Sequence, residues 1–467
     1  MGRSRTPRGG PAYGRRMSDV APILAGWMAR QRWYATKGRT PALRVIGSFE
    51  AEVDDALTMT LLIIDEAADV PVLYQVPLVS RATPLPGGDS AFIGSADGRY
   101  LYDGPHDPAY ARELLRTMSA EAHVAGADIT VDGTCIVDPG QVRRSRVLSG
   151  EQSNTSIVYD VEGGPVDQVI AKVFRVLHHG DNPDVTTQAA LTRGGSTHVP
   201  SSFGSLRATW PDVGREGGTA TGHLAFSQEF LPGLEDAWRV ALTAAAEGTD
   251  FTAEAYALGV AVAEVHATLA TDLGTVPAGD DEIAGALTSM RRRITTAARE
   301  VPQIAEHAHA IGGVYDAAEH LHWPDLQRIH GDLHLGQALL SPERGWMLID
   351  FEGEPLRPMP ERSRPDLPIR DIAGMLRSFD YVAGSLAQED VPVDAKAWAH
   401  DARRAFVDGY VASSGVDVRA ARALLDAFEI DKAVYEAIYE SRNRPDWIDI
   451  PLSAVARLAA RSAPAAG

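Results

Sequence analysis

Between Ile329 and Glu354 the sequence reads IHGDLHLGQALLSPERGWMLIDFEGE, placing carboxylates and an amide on two turns that flank a pair of short apolar runs. Asp332 follows His330 and Gly331, Gln337 stands five residues on, and after SPERG the run WMLI delivers Asp350 and Glu352. Phosphoryl transfer needs these groups. One carboxylate must orient an attacking hydroxyl and accept its proton, and another, with an amide oxygen, must hold the magnesium that bridges nucleotide phosphates. Asp332 fits the first role, and Asp350 with Gln337 and Glu352 the second. A solvated acidic hairpin explains a lone HGD about as well, but not the joint pattern. His330 and His334 form an HxxxH pair, yet the Gly-Asp between them points to a catalytic loop that His330 braces, not to a zinc site.

Such a loop needs a nucleotide site upstream. The strand-like run QVIAKVFRV sets Lys172 among apolar residues, where an unpaired ammonium is costly and an anionic phosphate would satisfy it. Before it, VLSGEQSNTSIVYDV holds a polar loop, Gln152 to Ser156, whose backbone and hydroxyls (Ser153, Asn154, Thr155, Ser156) suit phosphate oxygens. A plain hairpin turn is the competing reading. Further on, HLAFSQEFLPGLEDAW reads as a strand and a Pro-Gly turn leading to Asp236, which can touch a ribose or, the favoured reading, cap the next helix.

Taken together, HGDLHLGQ and LIDFEGEP resemble the maltokinase family, a branch of the kinases related to aminoglycoside phosphotransferases, from about Trp27 to Pro451. The resemblance implies an α+β, two-lobed protein-kinase-like (aminoglycoside phosphotransferase-like) fold with an N-terminal α/β cap domain. It implies ATP and Mg2+ as cofactors, Asp332 as base, Gln337 and Asp350 as metal ligands, and Glu229, Phe230 and Leu231 as the backbone that meets adenine. In one place the chain departs from the family. DNPDVTTQAAL carries Thr186 where the glutamate partner of the strand lysine is expected, so either Asp184 takes that part or the phosphates alone hold Lys172.

The chain has 467 residues, enough for two or three domains. With 63 acidic and 44 basic residues its net charge is −19, which excludes a nucleic-acid backbone or an anionic membrane surface as a natural partner. A single cysteine, Cys135, rules out an internal disulfide, and no apolar run reaches membrane-helix length, so a cytoplasmic monomer is expected. Residues 1–16, rich in Arg, Gly, Pro and Ser, are read as a disordered basic tail. Residues 17–130 form the cap, opening with a helix from Val20 to Trp33 whose Trp33 and Tyr34 anchor it to a sheet, followed by strands to Val79. Residues 131–231 form the nucleotide lobe, and 232–467 a mostly helical catalytic lobe. There, His266 reads as a core histidine, His307, His309, His320 and His322 as solvated, and Arg370 and Asp371 as structural.

The acceptor site falls on LLDAFEIDKAVYEAIYESRNRPDW, Leu424 to Trp447. Tyr435 and Tyr439, and Lys432, Glu436 and Glu440, repeat at four, giving adjacent aromatic and charged stripes on one helix. Sugars stack on aromatic faces and hydrogen-bond to carboxylates, although an exposed helix with ion pairs reads similarly. The resemblance favours sugar binding by this helix and the turn that ends it, with Arg444 and Trp447, while His334 and Asp332 serve from the catalytic loop. A maltose kinase giving maltose 1-phosphate is therefore the first expectation. Glucosamine, whose ammonium Glu436 and Glu440 would bind, is the rival, ahead of an aminoglycoside phosphotransferase or an inactive sugar- or nucleotide-binding regulator.

Overall fold

The computed structural model describes residues 11–148, 154–354, 357–389 and 391–461, with 11–19 as backbone only. Two compact units emerge: Met1–Ala189 with Ser201–Pro232, and Ala190–Pro200 with Gly233–Gly467.

In the first unit, α1 (Pro11–Met28) precedes β1 (Leu43–Val53), β2 (Ala56–Asp65), β3 (Val72–Arg81), β4 (Phe92–Ala96) and β5 (Arg99–Asp103). The helix takes in residues 11–16, which were expected in the tail: Pro11 sits at the helix start, where its missing N–H costs nothing. It stops at Met28 rather than Trp33. Trp33 and Tyr34 then pack on Tyr74, and the Tyr34 hydroxyl donates to Asp65 at 2.5 Å, so the aromatic pair anchors the chain and forms no ligand platform. The five strands make one antiparallel sheet in the order β1-β2-β3-β5-β4. Its hairpins turn on Asp54-Asp55 and Asp97-Gly98, where Asp54, Asp97 and Gly98 have positive φ, a conformation that aspartate and glycine tolerate.

After α2 (Pro108–Ser119), capped by Asp107, come β6 (His123–Ala125), β7 (Thr130–Cys135), β8 (Gln141–Val147), β9 (Asn154–Glu162) and β10 (Gln168–Phe174). α3 (Pro183–Arg193), β11 (Ser202–Pro211) and β12 (Thr219–Glu229) complete an antiparallel sheet ordered β6-β7-β11-β12-β10-β9-β8. The change of sheet falls between Asp103 and His123. Arg175, fully buried, ties the two sheets together: it donates to Asp103 at 2.8 Å and to the Thr155 hydroxyl at 2.8 Å, and stacks over Trp33. Gln75 adds hydrogen bonds to the carbonyls of Phe174 and Leu224.

The second unit contains β13 (Glu235–Asp236), α4 (Ala237–Glu247), α5 (Thr252–Leu273), β14 (Thr275–Val276), α6 (Asp280–Glu300), α7 (Pro302–Glu319), β15 (Leu326–Gln327), β16 (Ala338–Ser341) and β17 (Gly345–Leu348). It ends with α8 (Met359–Arg362), α9 (Pro368–Gln388), α10 (Ala395–Ser414), α11 (Arg422–Asn443) and α12 (Asp449–Arg461). α8 is a single helical turn. A single apolar core gathers α5, α7, α9, α10, α11 and α12. No helix among the described residues is long and apolar enough to cross a membrane.

Candidate active site

The catalytic loop is fixed from below by α9. Asp371, fully buried, accepts the backbone N–H of His330 at 2.8 Å and of Gly331 at 2.9 Å, and is itself held by His266 at 3.0 Å, whose other ring nitrogen meets the Tyr410 hydroxyl at 3.1 Å. Burial opposes its charge, but His266, His330 and the Gly331 amide outweigh that and hold the carboxyl below its usual range. One turn on, a Cβ at Gly374 would lie 2.5 Å from the Leu333 carbonyl, so only glycine lets the loop rest on the helix. The Ser378 hydroxyl then accepts the Leu335 N–H at 3.0 Å. Asp371, Gly374 and Ser378 thus form one cradle. The sequence reading left Asp371 as helix decoration and missed the cradle, for which DxxGxxxS at helical spacing was the only signal.

His330 braces the loop from the other side, its Nε2 3.0 Å or less from the Ile349 carbonyl (2.9 Å) and its ring 4.6 Å from that of Phe351. Gly331 and Gly353, both at positive φ, come so close that a Cβ on Gly331 would sit 3.3 Å from the Gly353 Cα. The HGD and DFEG turns therefore touch. Asp350 is held at φ 67°, a left-handed conformation rare for a residue with a side chain and costing on the order of 1 kcal/mol. Its carboxylate accepts from the Gln337 amide at 3.3 Å. Rotating that amide would present its oxygen instead, giving with Asp350 and Glu352 an all-oxygen set suited to magnesium. Among the described residues no group of three or more His, Cys, Asp or Glu forms a metal cage.

Lys432 of α11 reaches Asp332 at 3.1 Å and Glu354 at 3.0 Å. Burial works against its charge, yet Glu354 and Asp332 outweigh it and push the ammonium's pKa up. Glu354 in turn is held well below the carboxylate range, burial notwithstanding, by Lys432, Arg357, Arg370 and Arg293. Sequence reasoning missed Glu354 as Lys432's second partner. His334 caps the turn Leu335–Gln337, accepting the Gly336 N–H at 3.1 Å, and burial pushes its pKa down, so it stands neutral.

The expected acceptor set is split. Tyr435 adjoins Lys432, whose ammonium lies 5.1 Å from its ring, and Tyr439 is 43% exposed on the same side, over a cleft of about 530 Å³ with Arg292 and Arg293. Glu440 is buried and Glu436 half-buried, and both are paired with arginines. Glu436 pairs with Arg377 at 2.7 Å, and Glu440 takes a two-pronged contact from Arg444 at 2.6 and 2.8 Å plus the Tyr381 hydroxyl at 3.0 Å. Trp447 stacks on Tyr381 beneath the Arg444 guanidinium, 4.7 Å away. Each glutamate expected to bind an acceptor's ammonium is thus paired with a guanidinium, and α11 is largely interior.

In the first unit, Lys172 pairs with Asp184 at 2.8 Å, and Gln188 orients that carboxylate at 3.0 Å. Asp184 therefore stands where the family's glutamate was expected, and Thr186 makes only a local contact to the Asn182 carbonyl. Thr155 and Ser156 belong to β9 rather than a loop, and the Thr155 hydroxyl already accepts from Arg175; Asn154 opens the strand, and Ser153 lies outside the described residues. The N–H groups of Glu229 and Phe230 donate to the Ser201 and Gln168 carbonyls, so adenine recognition along 229–231 is left to the remaining backbone groups. Asp236 caps α4, accepting the Arg239 N–H at 2.9 Å, as its favoured reading had it.

A direct test of the lysine clamp follows. Lys172→Ala should weaken ATP binding or turnover by ~10- to 1,000-fold, the scale of one lost charged phosphate contact. Thr186→Glu should change either by less than about twofold, because Asp184 already fills the position; a clear rise in activity would mean the clamp is incomplete.

Residues 27–107 match the family described as maltokinase N-terminal cap domain, and residues 204–425 the phosphotransferase enzyme family. A glucosamine kinase of Streptacidiphilus jiangxiensis is 31% identical over 288 residues, which cover 58% of this chain and 64% of that protein. A glucosamine kinase of Mycolicibacterium smegmatis (strain ATCC 700084 / mc(2)155) is 26% identical over 394 residues, 78% of this chain and 92% of its own length. Among solved structures, a glucosamine kinase in complex with glucosamine, ADP and inorganic phosphate superposes with a TM-score of 0.70 at 22% identity, covering 93% of this chain and 98% of that one. The fold is thus the protein-kinase-like fold of the aminoglycoside phosphotransferases, preceded by a strand-rich cap.

Proposed function

We propose that this chain, a phosphotransferase that joins a maltokinase N-terminal cap domain to a domain of the phosphotransferase enzyme family, transfers the γ-phosphoryl group of ATP to a hydroxyl of glucosamine. The observation that carries the reading is Asp332, presented on a loop locked by Asp371 beside the Asp350–Gln337 pair. Asp332 takes the proton of the attacking hydroxyl. Asp350, with Gln337 and Glu352, would hold the magnesium, which neutralises charge on the bridged phosphates. Lys172, kept in place by Asp184, answers the α- and β-phosphates.

The two curated relatives favour an amino sugar over maltose. The site offers a chemical reason in Asp332 and Glu354, which together already hold one ammonium, that of Lys432. Two carboxylates there stand beside that one ammonium, which leaves negative charge for an acceptor's amine. Maltose remains the second reading, favoured by the cap and by the Tyr435–Tyr439 stripe.

The test is an ADP-release assay with Mg·ATP over glucosamine, maltose, glucose and several aminoglycosides, followed by NMR assignment of the phosphorylated carbon. Glucosamine should give the highest kcat/KM, by at least ~10-fold over glucose if a charged contact is used. Preference for maltose would transfer the assignment to the second reading, and equal rates with glucose would show that no carboxylate reads the amine.

A further inference from the structure

The surfaces of α9, α10 and α12 and the start of α11 enclose a cavity of about 850 Å³, within the range of small-molecule sites. In a chain of net charge −19 its lining is cationic. α10 contributes Lys396, Arg403 and Arg404, α12 contributes Arg457 and Arg461, and Arg422 stands at the first position of α11. Against them the lining has Asp380, Asp446 and Asp449, while the floor is apolar, with Leu376, Val407, Leu425 and Ile450.

The carboxylates behind this lining are shared and overdrawn. Asp380 serves Arg377 at 2.7 Å, Arg403 at 3.2 Å and Arg457 at 2.8 Å, and Glu429 serves Arg403 and Arg457 again. Asp426 is shared by Arg422 at 2.8 Å and Arg461 at 3.8 Å. Lys396 and Arg404 make no ion pair among the described residues. Like charges stand four apart in Arg457 and Arg461, and eight apart in Lys396 and Arg404 with His400 between them, an arrangement that costs helix stability unless an anion lies over it. Burial and the nearness of Arg422 and Arg457 push the Arg461 guanidinium's pKa down, which marks a cation short of negative charge.

Two features of α11 add to this. Its N-terminus opens at the cavity with no capping side chain, since Ala421 has none to offer, and no acidic residue stands in its first turn. The helix dipole there favours a bound anion. Arg422 places a cation at the positive end of that helix, where its partner is Asp426 at 2.8 Å.

From these observations we infer that the α9–α12 cavity is a second ligand site, separate from the catalytic loop, for a small metabolite bearing a terminal phosphate or diphosphate. The phosphates draw on the unpaired cations of this lining, Lys396 and Arg404 of α10, and the body of the molecule covers the apolar floor. This inference is independent of which sugar the enzyme phosphorylates.

The full-length protein, without magnesium or ATP, should bind inorganic pyrophosphate in calorimetry at low salt. The double variant Lys396→Glu/Arg404→Glu should lose at least about tenfold in affinity, the scale of two charged contacts. It should keep its melting temperature and its basal kinase rate, since both side chains are exposed and outside the catalytic machinery. Lys172→Ala should leave the binding unchanged. The inference is overturned by no binding at about 10 mM pyrophosphate, a concentration that reveals even millimolar sites. It is equally overturned by affinity unaltered in the double variant, or by binding that Lys172→Ala removes.

Discussion

Replacing Asp332 with alanine should lower kcat by about 10²- to 10⁴-fold with every accepted sugar, the range a positioned general base supplies. The loop will survive the change, because its anchors lie elsewhere: the His330 and Gly331 amides stay on Asp371, and His330 stays on the Ile349 carbonyl. Lys432 keeps Glu354 as a partner at 3.0 Å, so the substitution does not strand a buried ammonium. Nucleotide affinity, measured by titration with a fluorescent ATP analogue, should therefore be retained while turnover collapses. Near wild-type kcat in Asp332→Ala would remove Asp332 from the role of base.

The second large effect is expected at Asp350. Asparagine preserves its size and, among side chains with a Cβ, is one of the few that tolerate the left-handed backbone that Asp350 adopts at φ 67°. Asp350→Asn consequently tests charge rather than conformation. Loss of the anionic oxygen should lower Mg²⁺-dependent turnover by at least about 10²-fold, since a metal site with one carboxylate fewer forfeits several kcal/mol of charge stabilisation. The melting temperature should move by only a few degrees. A variant that turned over normally at ordinary magnesium concentrations would show that the ion is held by other groups.

Neither experiment depends on which acceptor is right, and this separates the chemistry from the specificity. The acceptor assignment rests on relatives and on the two carboxylates, Asp332 and Glu354, beside the Lys432 ammonium. The catalytic assignment rests on a loop geometry internal to this chain.

What the sequence determined by itself is local. HGDLHLGQ and LIDFEGE are contiguous, so the spacing of Asp332, Gln337 and Asp350 along the chain already limits how far apart they can fold, and the two glycines that allow the turns to touch stand within the same phrases. Lys172 was legible for a related reason: an ammonium in the middle of an apolar strand is costly without an anion, whatever the fold. The strands β1 to β3 and helices such as α5, α9 and α11 declared themselves through periodicity, and the net charge excluded whole classes of partner.

Only the tertiary structure decided how the polar side chains are paired. Glu436 and Glu440 look like sugar ligands along α11, yet their fates were set by Arg377, fifty-nine residues upstream of Glu436, and by Arg444 at the helix end. Asp371 reads as a first-turn carboxylate until folding brings it under amides about forty residues away. Thr155 reads as a loop hydroxyl until Arg175 claims it. Each of these groups carries a charge or donor that must be satisfied once buried, and the partner that satisfies it is chosen by three-dimensional proximity, on which residue type and helical spacing are silent. The same holds for the cationic cavity, whose arginines are scattered over three helices in the sequence and become a site only where the helices meet.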